Sequence, residues 1–376
     1  GILLLACAAL ALAWANSPGA AGYQAFKGLA LLPFSAHGRP FSLELFVNDV
    51  LMAVFFLGVG LEIKRELLEG ELSSRRKAML PLAGALGGML APALIYLAFN
   101  ADGPAARGWG VPMATDIAFA LGVILLLGKR VPAGLKVFLV ALAILDDLGA
   151  IAVIALFYTE HLAPLWLAAA AATFGALLLL NRRGVTHPVP YLAGGILLWV
   201  AFFQSGVHAT LAGVALALCV PNQSGARERR LRLRDDLQAR LEHGLHPWVS
   251  YGILPLFALV NAGVLLSPAV VGMLREPLGL GIAAGLLLGK PLGITLFSWG
   301  AVRLGLAALP ARVDWGHMAG AGLLGGIGFT MSIFIAGLAF SDPARLDGAK
   351  LAVLAASLAA GAGGYLFLRL RPEARP

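Results

Sequence analysis

The sequence predicts an all-α polytopic membrane protein of about twelve transmembrane helices. Three observations carry that reading. Of 376 residues, 59% are hydrophobic and only 13% charged, with a mean hydropathy of +0.85, and the apolar residues gather into stretches near the ~20 residues that cross a bilayer. Glycine and proline number 47 and 21, which suits close helix packing and interrupted helices in lipid better than a soluble core. Lys and Arg concentrate in alternate loops, as they do in chains threaded back and forth through a membrane.

Taken in order, spans are expected over residues 1–15, 43–61, 80–99, 109–127, 135–158 and 165–180, then over 191–203, 206–220, 248–266, 278–302, 316–340 and 349–368. The first should be a span and not a cleaved leader, because Asn16-Ser17-Pro18-Gly19 makes a poor cleavage site and no basic region precedes it. Because the chain opens on Gly1, a short stretch ahead of it is expected. Loops after the even-numbered spans hold 21 of the 28 Lys and Arg, including Arg75, Arg76 and Lys77, the run from Arg227 to Arg234, and Arg369, Arg371 and Arg375. The positive-inside rule then puts both termini in the cytoplasm. The net charge of +8 reflects this topology, so no nucleic-acid partner is expected. Cys7 and Cys219 both lie in apolar stretches, which argues against a disulfide framework. No soluble domain is visible, so residues 1–376 read as one membrane domain. Its longest polar stretch, 222–246, has the alternating charges of a solvated helix, and Ser35 to Pro40 could turn a short extracytoplasmic hairpin whose edge could pair with a second protomer.

Asp146 and Asp147 stand side by side in the apolar run 131–158. A carboxylate at mid-membrane costs roughly 2.5 to 3.5 kcal/mol on the insertion scale, so two of them point to ion or proton handling. Two spans, one in each half of the chain, are also interrupted alike. Pro112 and the pair Thr115-Asp116 break 109–127, while three glycines and two hydroxyls in Gly325-Gly326-Ile327-Gly328-Phe329-Thr330-Met331-Ser332 break 316–340. Matched interruptions mark a transporter's central site, because unwound backbone at membrane depth is tolerated only beside protein or water. Facing half-helices would bring partial positive and partial negative ends together. Asp116 is suited to offset the first and Lys290, inside an apolar stretch, the second.

Several motifs are recognisable in order along essentially the whole chain: Asn48-Asp49, Gly60-Leu61-Glu62-Ile63-Lys64-Arg65-Glu66, Thr115-Asp116-Ile117-Ala118-Phe119, Ala143-Ile144-Leu145-Asp146-Asp147-Leu148-Gly149, Gly206-Val207-His208-Ala209-Thr210, Leu245-His246-Pro247-Trp248, Gly289-Lys290-Pro291-Leu292-Gly293 and Gly326-Ile327-Gly328-Phe329-Thr330. With them the chain resembles the NhaA family of bacterial Na+/H+ antiporters, which implies inverted-topology repeats with two discontinuous helices crossing near the bilayer midplane. The resemblance implies a homodimer in the bacterial cytoplasmic membrane that exports Na+ or Li+ in exchange for protons, with no cofactor beyond those ions. It also implies Asp147 as principal Na+ ligand, Asp146 nearby and exchanging an ion pair with Lys290, and an oxygen from Thr115. The pH-sensing positions would be Glu62, Arg65 and Glu66 at the end of the second span and Glu242, His243 and His246 at the start of the ninth.

The residues carry a chemical argument of their own. Na+ is a hard cation that wants several oxygen ligands, and carboxylates supply oxygens and a proton site together, so the two ions compete. Neighbouring helix positions lie about 100° apart, so one of Asp146 and Asp147 should dominate. Two protons displaced per cation would make the exchange electrogenic, each net charge contributing ~2.3 kcal/mol per 100 mV. Histidine titrates in the window a pH sensor needs. His208 reads as a hydrogen-bonded packing residue ahead of a proton carrier, while Asp49 either attracts cations at the outer entrance or caps its helix. A sodium-coupled symporter of related architecture would need a larger polar pocket. An aspartyl protease needs carboxylates from separate elements, and a DDxxD Mg2+ site wants an acid at Ala150, so no enzyme is expected.

Overall fold

A computed structural model describes residues 1–36, 39–159, 162–222 and 236–371. In chain order the elements are α1 (Ile2–Ala15), α2 (Ala20–Lys27), β1 (Ala30–Ala36), β2 (Arg39–Ser42), α3 (Leu43–Leu68) and α4 (Arg75–Phe99). A 3-10 segment, Pro104–Met113, then leads to α5 (Ile117–Leu127), α6 (Ala133–Phe157), α7 (Pro164–Arg182), α8 (Pro188–Ser205) and α9 (Leu211–Cys219). After them come α10 (237–261), α11 (Pro277–Arg303), α12 (Trp315–Gly325), α13 (Phe329–Ala339) and α14 (Pro343–Leu370). Among the described residues, eight helical stretches are long and apolar enough to cross a bilayer. Two bent pairs raise the number to as many as ten: α1 with α2 at 119° and α12 with α13 at 47°.

Two expected spans take another form. Over 206–220 the helix covers only Leu211–Cys219, about 14 Å at 1.5 Å per residue, half of a bilayer's hydrocarbon thickness. Where 248–266 was expected, one helix starts earlier, capped by Asp236 through Gln238 N, and runs through a π-helical turn at Val249–Ile253 to Asn261. Much of the polar stretch ahead of it, with Arg227, Arg229, Arg230, Arg232 and Arg234, lies outside the described residues, as does Arg375. The hairpin is present as antiparallel β1 and β2, with Ser35 opposite Pro40 and Ala36 opposite Arg39. Its turn, His37-Gly38, is also outside the described residues.

By contacts the chain divides into two compact units, residues 1–24, 66–150 and 258–376 forming the first, and 25–65 and 151–257 the second. In the first, small residues set the helix spacing. A Cβ on Gly87 of α4 would run into the carbonyl of Gly293 on α11, and one on Gly293 into the carbonyl of Gly87. Gly289 meets Pro92 in the same way, 2.7 Å from its Cα, and Gly322 of α12 meets Pro291, also 2.7 Å from the Cα. Lipid tails are as apolar as leucine, so helices in a membrane gain little from hydrophobicity and associate through such close backbone approach. In the second unit, Leu57, Leu61, Leu177, Tyr191, Leu198, Leu216 and Val220 form a buried cluster. There Lys64 Nζ donates to the carbonyls of Leu218 at 3.0 Å and Val220 at 2.5 Å, a cation at the negative end of α9.

The start of α12 is tied to the end of α14. Asp314 accepts from His317 N at 2.8 Å in a reciprocal cap, and Arg371 donates to its other oxygen at 2.8 Å. Partial burial opposes ionisation of Asp314, but the hydrogen bond from His317 and the neighbouring His317 and Arg371 side chains outweigh it and hold the carboxyl below its ordinary value. A carboxyl depressed on folding stabilises the native state above its unfolded pKa and loses that contribution as pH falls through the folded one. Asp314→Asn should therefore lower the melting temperature in detergent at neutral pH. The difference from the parent should shrink as pH drops below about 4, near the unfolded aspartate value. Gly293→Val should cost about 1–3 kcal/mol by forcing α4 and α11 apart, read as a lower melting temperature. Gly175→Val, at a position on α7 where a side chain meets nothing, should be tolerated.

Candidate functional site

The interruption before α5 is an extended turn: Ala114 has φ −86 and ψ 148, and Asp116 has φ −85 and ψ 99. Its counterpart is Gly326-Ile327-Gly328 between α12 and α13. These two stretches bond directly, Asp116 N donating to Ile327 O at 2.7 Å. Around them the freed backbone groups are satisfied by side chains. Thr115 Oγ1 lies 2.9 Å from Gly325 O, Ser332 Oγ donates to Val111 O at 2.7 Å, and Phe329 N donates to Ser357 Oγ at 3.0 Å.

Asp116 serves two helix starts at once. Its Oδ1 accepts from Phe119 N at 2.9 Å in α5, and its Oδ2 accepts from Thr330 N at 3.1 Å and Thr330 Oγ1 at 2.5 Å in α13. A single carboxylate thereby caps both half-helices and faces two partial positive charges. Of the groups holding the crossing, Thr330 and Ser332 were visible in the sequence only as hydroxyls in a break. Ser357 carried no signal, because it lies in the middle of the apolar helix α14.

Beside the crossing, Asp146 and Lys290 are both fully buried and form an ion pair, Nζ to Oδ2 at 2.5 Å. Thr115 Oγ1 lies 2.6 Å from the same Oδ2. Asp146 Oδ1 is buried and, among the described residues, accepts no hydrogen bond, an oddity in an interior where buried polar atoms are nearly always paired. Asp147 is 2% exposed. Lys290 follows a π-helical turn, Gly285–Gly289, a local widening of the helix common at functional positions. Gly285 and Gly289 within it lie against Pro112 and Pro92, so α11 can reach the crossing closely. Among the described residues Lys290 bonds to Asp146, and not to a carbonyl at the end of a half-helix.

The remaining candidates sit elsewhere. Arg65 pairs with Glu242, and Glu62 lies 3.8 Å from Arg65. Glu66 accepts from Glu71 N at 3.0 Å. His243 and His246 are exposed on α10, the former bonded to Ala239 O of its own helix at 2.7 Å. His208, in the turn ahead of α9, lies 3.4 Å from Thr210 Oγ1. Asp49 falls inside a π-helical turn, Phe46–Leu51, so it is not the helix cap; that role belongs to Ser42, whose hydroxyl accepts from Leu45 N.

A polytopic helical protein whose interrupted spans meet around buried carboxylates and a lysine has the architecture of a secondary transporter. The family described as Na+/H+ antiporter 1 matches residues 1–368, and the chain belongs to it. Its relatives include proteins named Na(+)/H(+) antiporter NhaA. That of Rhodospirillum rubrum is 53% identical over 98% of this chain and 94% of its own length, and that of Shewanella amazonensis 51% identical over 100% and 95%. The sodium proton antiporter MjNhaP1 from Methanocaldococcus jannaschii shares the fold, with a TM-score of 0.52 at 18% identity over 87% of this chain and 86% of that one.

Removing one partner of a buried ion pair strands the other, at a typical cost of about 3–5 kcal/mol. Lys290→Gln should therefore lower thermal stability strongly, and adding Asp146→Asn should recover much of the loss. A double mutant no more stable than Lys290→Gln alone would mean that the pair is not the source of the penalty.

Proposed function

We propose that this chain exports Na+ or Li+ across the bacterial cytoplasmic membrane in exchange for protons. The family match and relatives about half identical over nearly the whole chain support the exchange. One observation carries the site: Asp146, buried at the crossing, has Oδ2 held by Lys290 and Thr115 while Oδ1 accepts no hydrogen bond among the described residues, and Asp147 is the next residue. In the cycle, Asp147 is the principal cation ligand, with Asp146 Oδ1 and an oxygen of Thr115 beside it.

The Thr115 hydroxyl has one proton and two acceptors in reach, Asp146 Oδ2 and Gly325 O. With Asp146 ionised it donates to the carboxylate; with Asp146 protonated it donates to Gly325 and accepts from the acid. Both states therefore keep the hydroxyl satisfied. Two ionised carboxylates and one charged lysine sum to −1, which one monovalent cation neutralises. Replacing that cation by two protons leaves the site one charge more positive, so the exchange is electrogenic at two protons per cation. The direct bond between the two unwound stretches leaves the crossing compact, which favours a small ion over an organic solute.

The same reading extends to the whole chain. Twelve spans follow if α9 and α10 join the ten already counted, and the breaks at 114–116 and 326–328 are the matching elements of two inverted repeats. The two compact units work as one transporter domain over 1–376, with Asp116 and Lys290 balancing its fixed charges. Both termini lie in the cytoplasm, as the distribution of Lys and Arg supports. The β1–β2 edge joins two copies as a homodimer. Glu62, Arg65, Glu66, Glu242, His243 and His246 set the pH response, with His208 the weaker candidate, and Asp49 lies near the outer entrance.

In reconstituted vesicles with an imposed pH gradient, Na+ or Li+ should collapse the gradient and K+ should do so poorly. Asp147→Asn should abolish the response. Full activity in that variant would reject the ligand assignment, and Na+-dependent uptake of an organic solute in place of gradient collapse would reject exchange.

A further inference from the structure

We propose that the groove between the basic ends of α4 and α11 is a binding site for one anionic phospholipid, its acyl chain along the groove and its phosphate at Arg75, Arg76 and Arg303. The groove follows from the same helix pair that touches at Gly87 and Gly293. Two turns further along α11 from Gly293 stands Gly300, where an added side chain would meet nothing within 4 Å. Towards that end of the pair lies an apolar cavity of about 390 Å³ lined by Met79, Leu82, Leu86, Phe297, Gly300 and Leu304 among others. Leu86, Phe297 and Leu304 are 43%, 44% and 75% exposed, so the cavity opens to the membrane.

An apolar cavity in contact with lipid will hold some hydrocarbon, but tails alone cannot choose one lipid over another. Choice comes from the headgroup end. Arg75 and Arg76 precede Met79 by four and three residues, which puts them on the groove-lining side of α4 one turn further out. Arg303 follows Gly300 by three residues, and its guanidinium lies 5.7 Å from the ring of Trp299, an aromatic of the kind that anchors at the headgroup level. All three arginines are exposed, and among the described residues none has a carboxylate partner. Lys77 differs, being paired with Glu71 at 3.3 Å. The cation cluster is therefore uncommitted where a phosphate would lie, and guanidinium groups match phosphate oxygens in pairs.

The test uses the full chain in phosphatidylcholine vesicles doped with a trace lipid carrying a photoactivatable group in its acyl chain, either phosphatidylglycerol or phosphatidylcholine. Cross-linked peptides are located by mass spectrometry. The phosphatidylglycerol reagent should label residues 79–86 and 296–306 at least five-fold more than its phosphatidylcholine twin. Arg75→Gln, Arg76→Gln and Arg303→Gln together should bring the two to parity there. Gly300→Phe, whose Cβ meets no neighbour within 4 Å and whose ring occupies the groove, should suppress labelling by both while leaving labelling of other lipid-facing helices unchanged. Equal labelling of the parent by both reagents would reduce the groove to ordinary annular lipid and overturn the proposal. Persistence of the preference in the triple glutamine variant, or of groove labelling in Gly300→Phe, would overturn it as well. None of these readouts depends on transport.

Discussion

Peptide groups that leave a helix inside a bilayer have no water to turn to, so the protein must supply every partner. The hydrogen bond between Asp116 N and Ile327 O is where this constraint is met first. Once two unwound stretches are tied to each other, the other groups have defined places. Thr115 reaches the carbonyl ending α12, Ser332 reaches the 3-10 segment, Ser357 takes the amide of Phe329, and Asp116 gathers the amides that open α5 and α13. Each contact contributes little alone, about 1 kcal/mol net for a neutral hydrogen bond and about 1.5–3 kcal/mol for those to a carboxylate. The cost of leaving a buried group unmade is larger, so the set stands or falls together.

Close approach is the second condition. Lys290 can bond to Asp146 only because α11 packs tightly against α4, through Gly289 on Pro92 and Gly293 on Gly87, and against the 3-10 segment through Gly285 on Pro112. Glycine serves there because any Cβ would collide, and the π-helical turn before Lys290 places that side chain at the crossing. Packing and electrostatics are thus one problem: the residues that let the backbones touch also decide which charges meet.

The apolar spans, the two interruptions and the buried charges were legible because each breaks the hydrophobic pattern that membrane residence demands. Asp116, Asp146, Asp147 and Lys290 are conspicuous for that reason. The shorter α9 was not legible, since the turn at Gly206 to Thr210 is apolar enough to read as helix. The early start of α10 was equally hidden, because a helix that begins in a polar segment and continues into an apolar one has no single periodicity. The three π-helical turns among the described residues, at Phe46–Leu51, Val249–Ile253 and Gly285–Gly289, leave no mark in composition. Ser357 shows why partners of a site escape sequence reasoning: its importance comes from a neighbour 28 positions away.

Two carboxylates on consecutive residues are not equivalent, and the geometry makes the difference sharp. They project about 100° apart around α6, so a single lysine on α11 and a single hydroxyl from Thr115 cannot serve both alike. Both converge on Oδ2 of Asp146. That residue is therefore tied to the rigid frame of the crossing, while its neighbour shares the same buried volume at a different angle. Protons taken up in such a cluster belong to the group as a whole, in coupled steps, and not to either residue by itself.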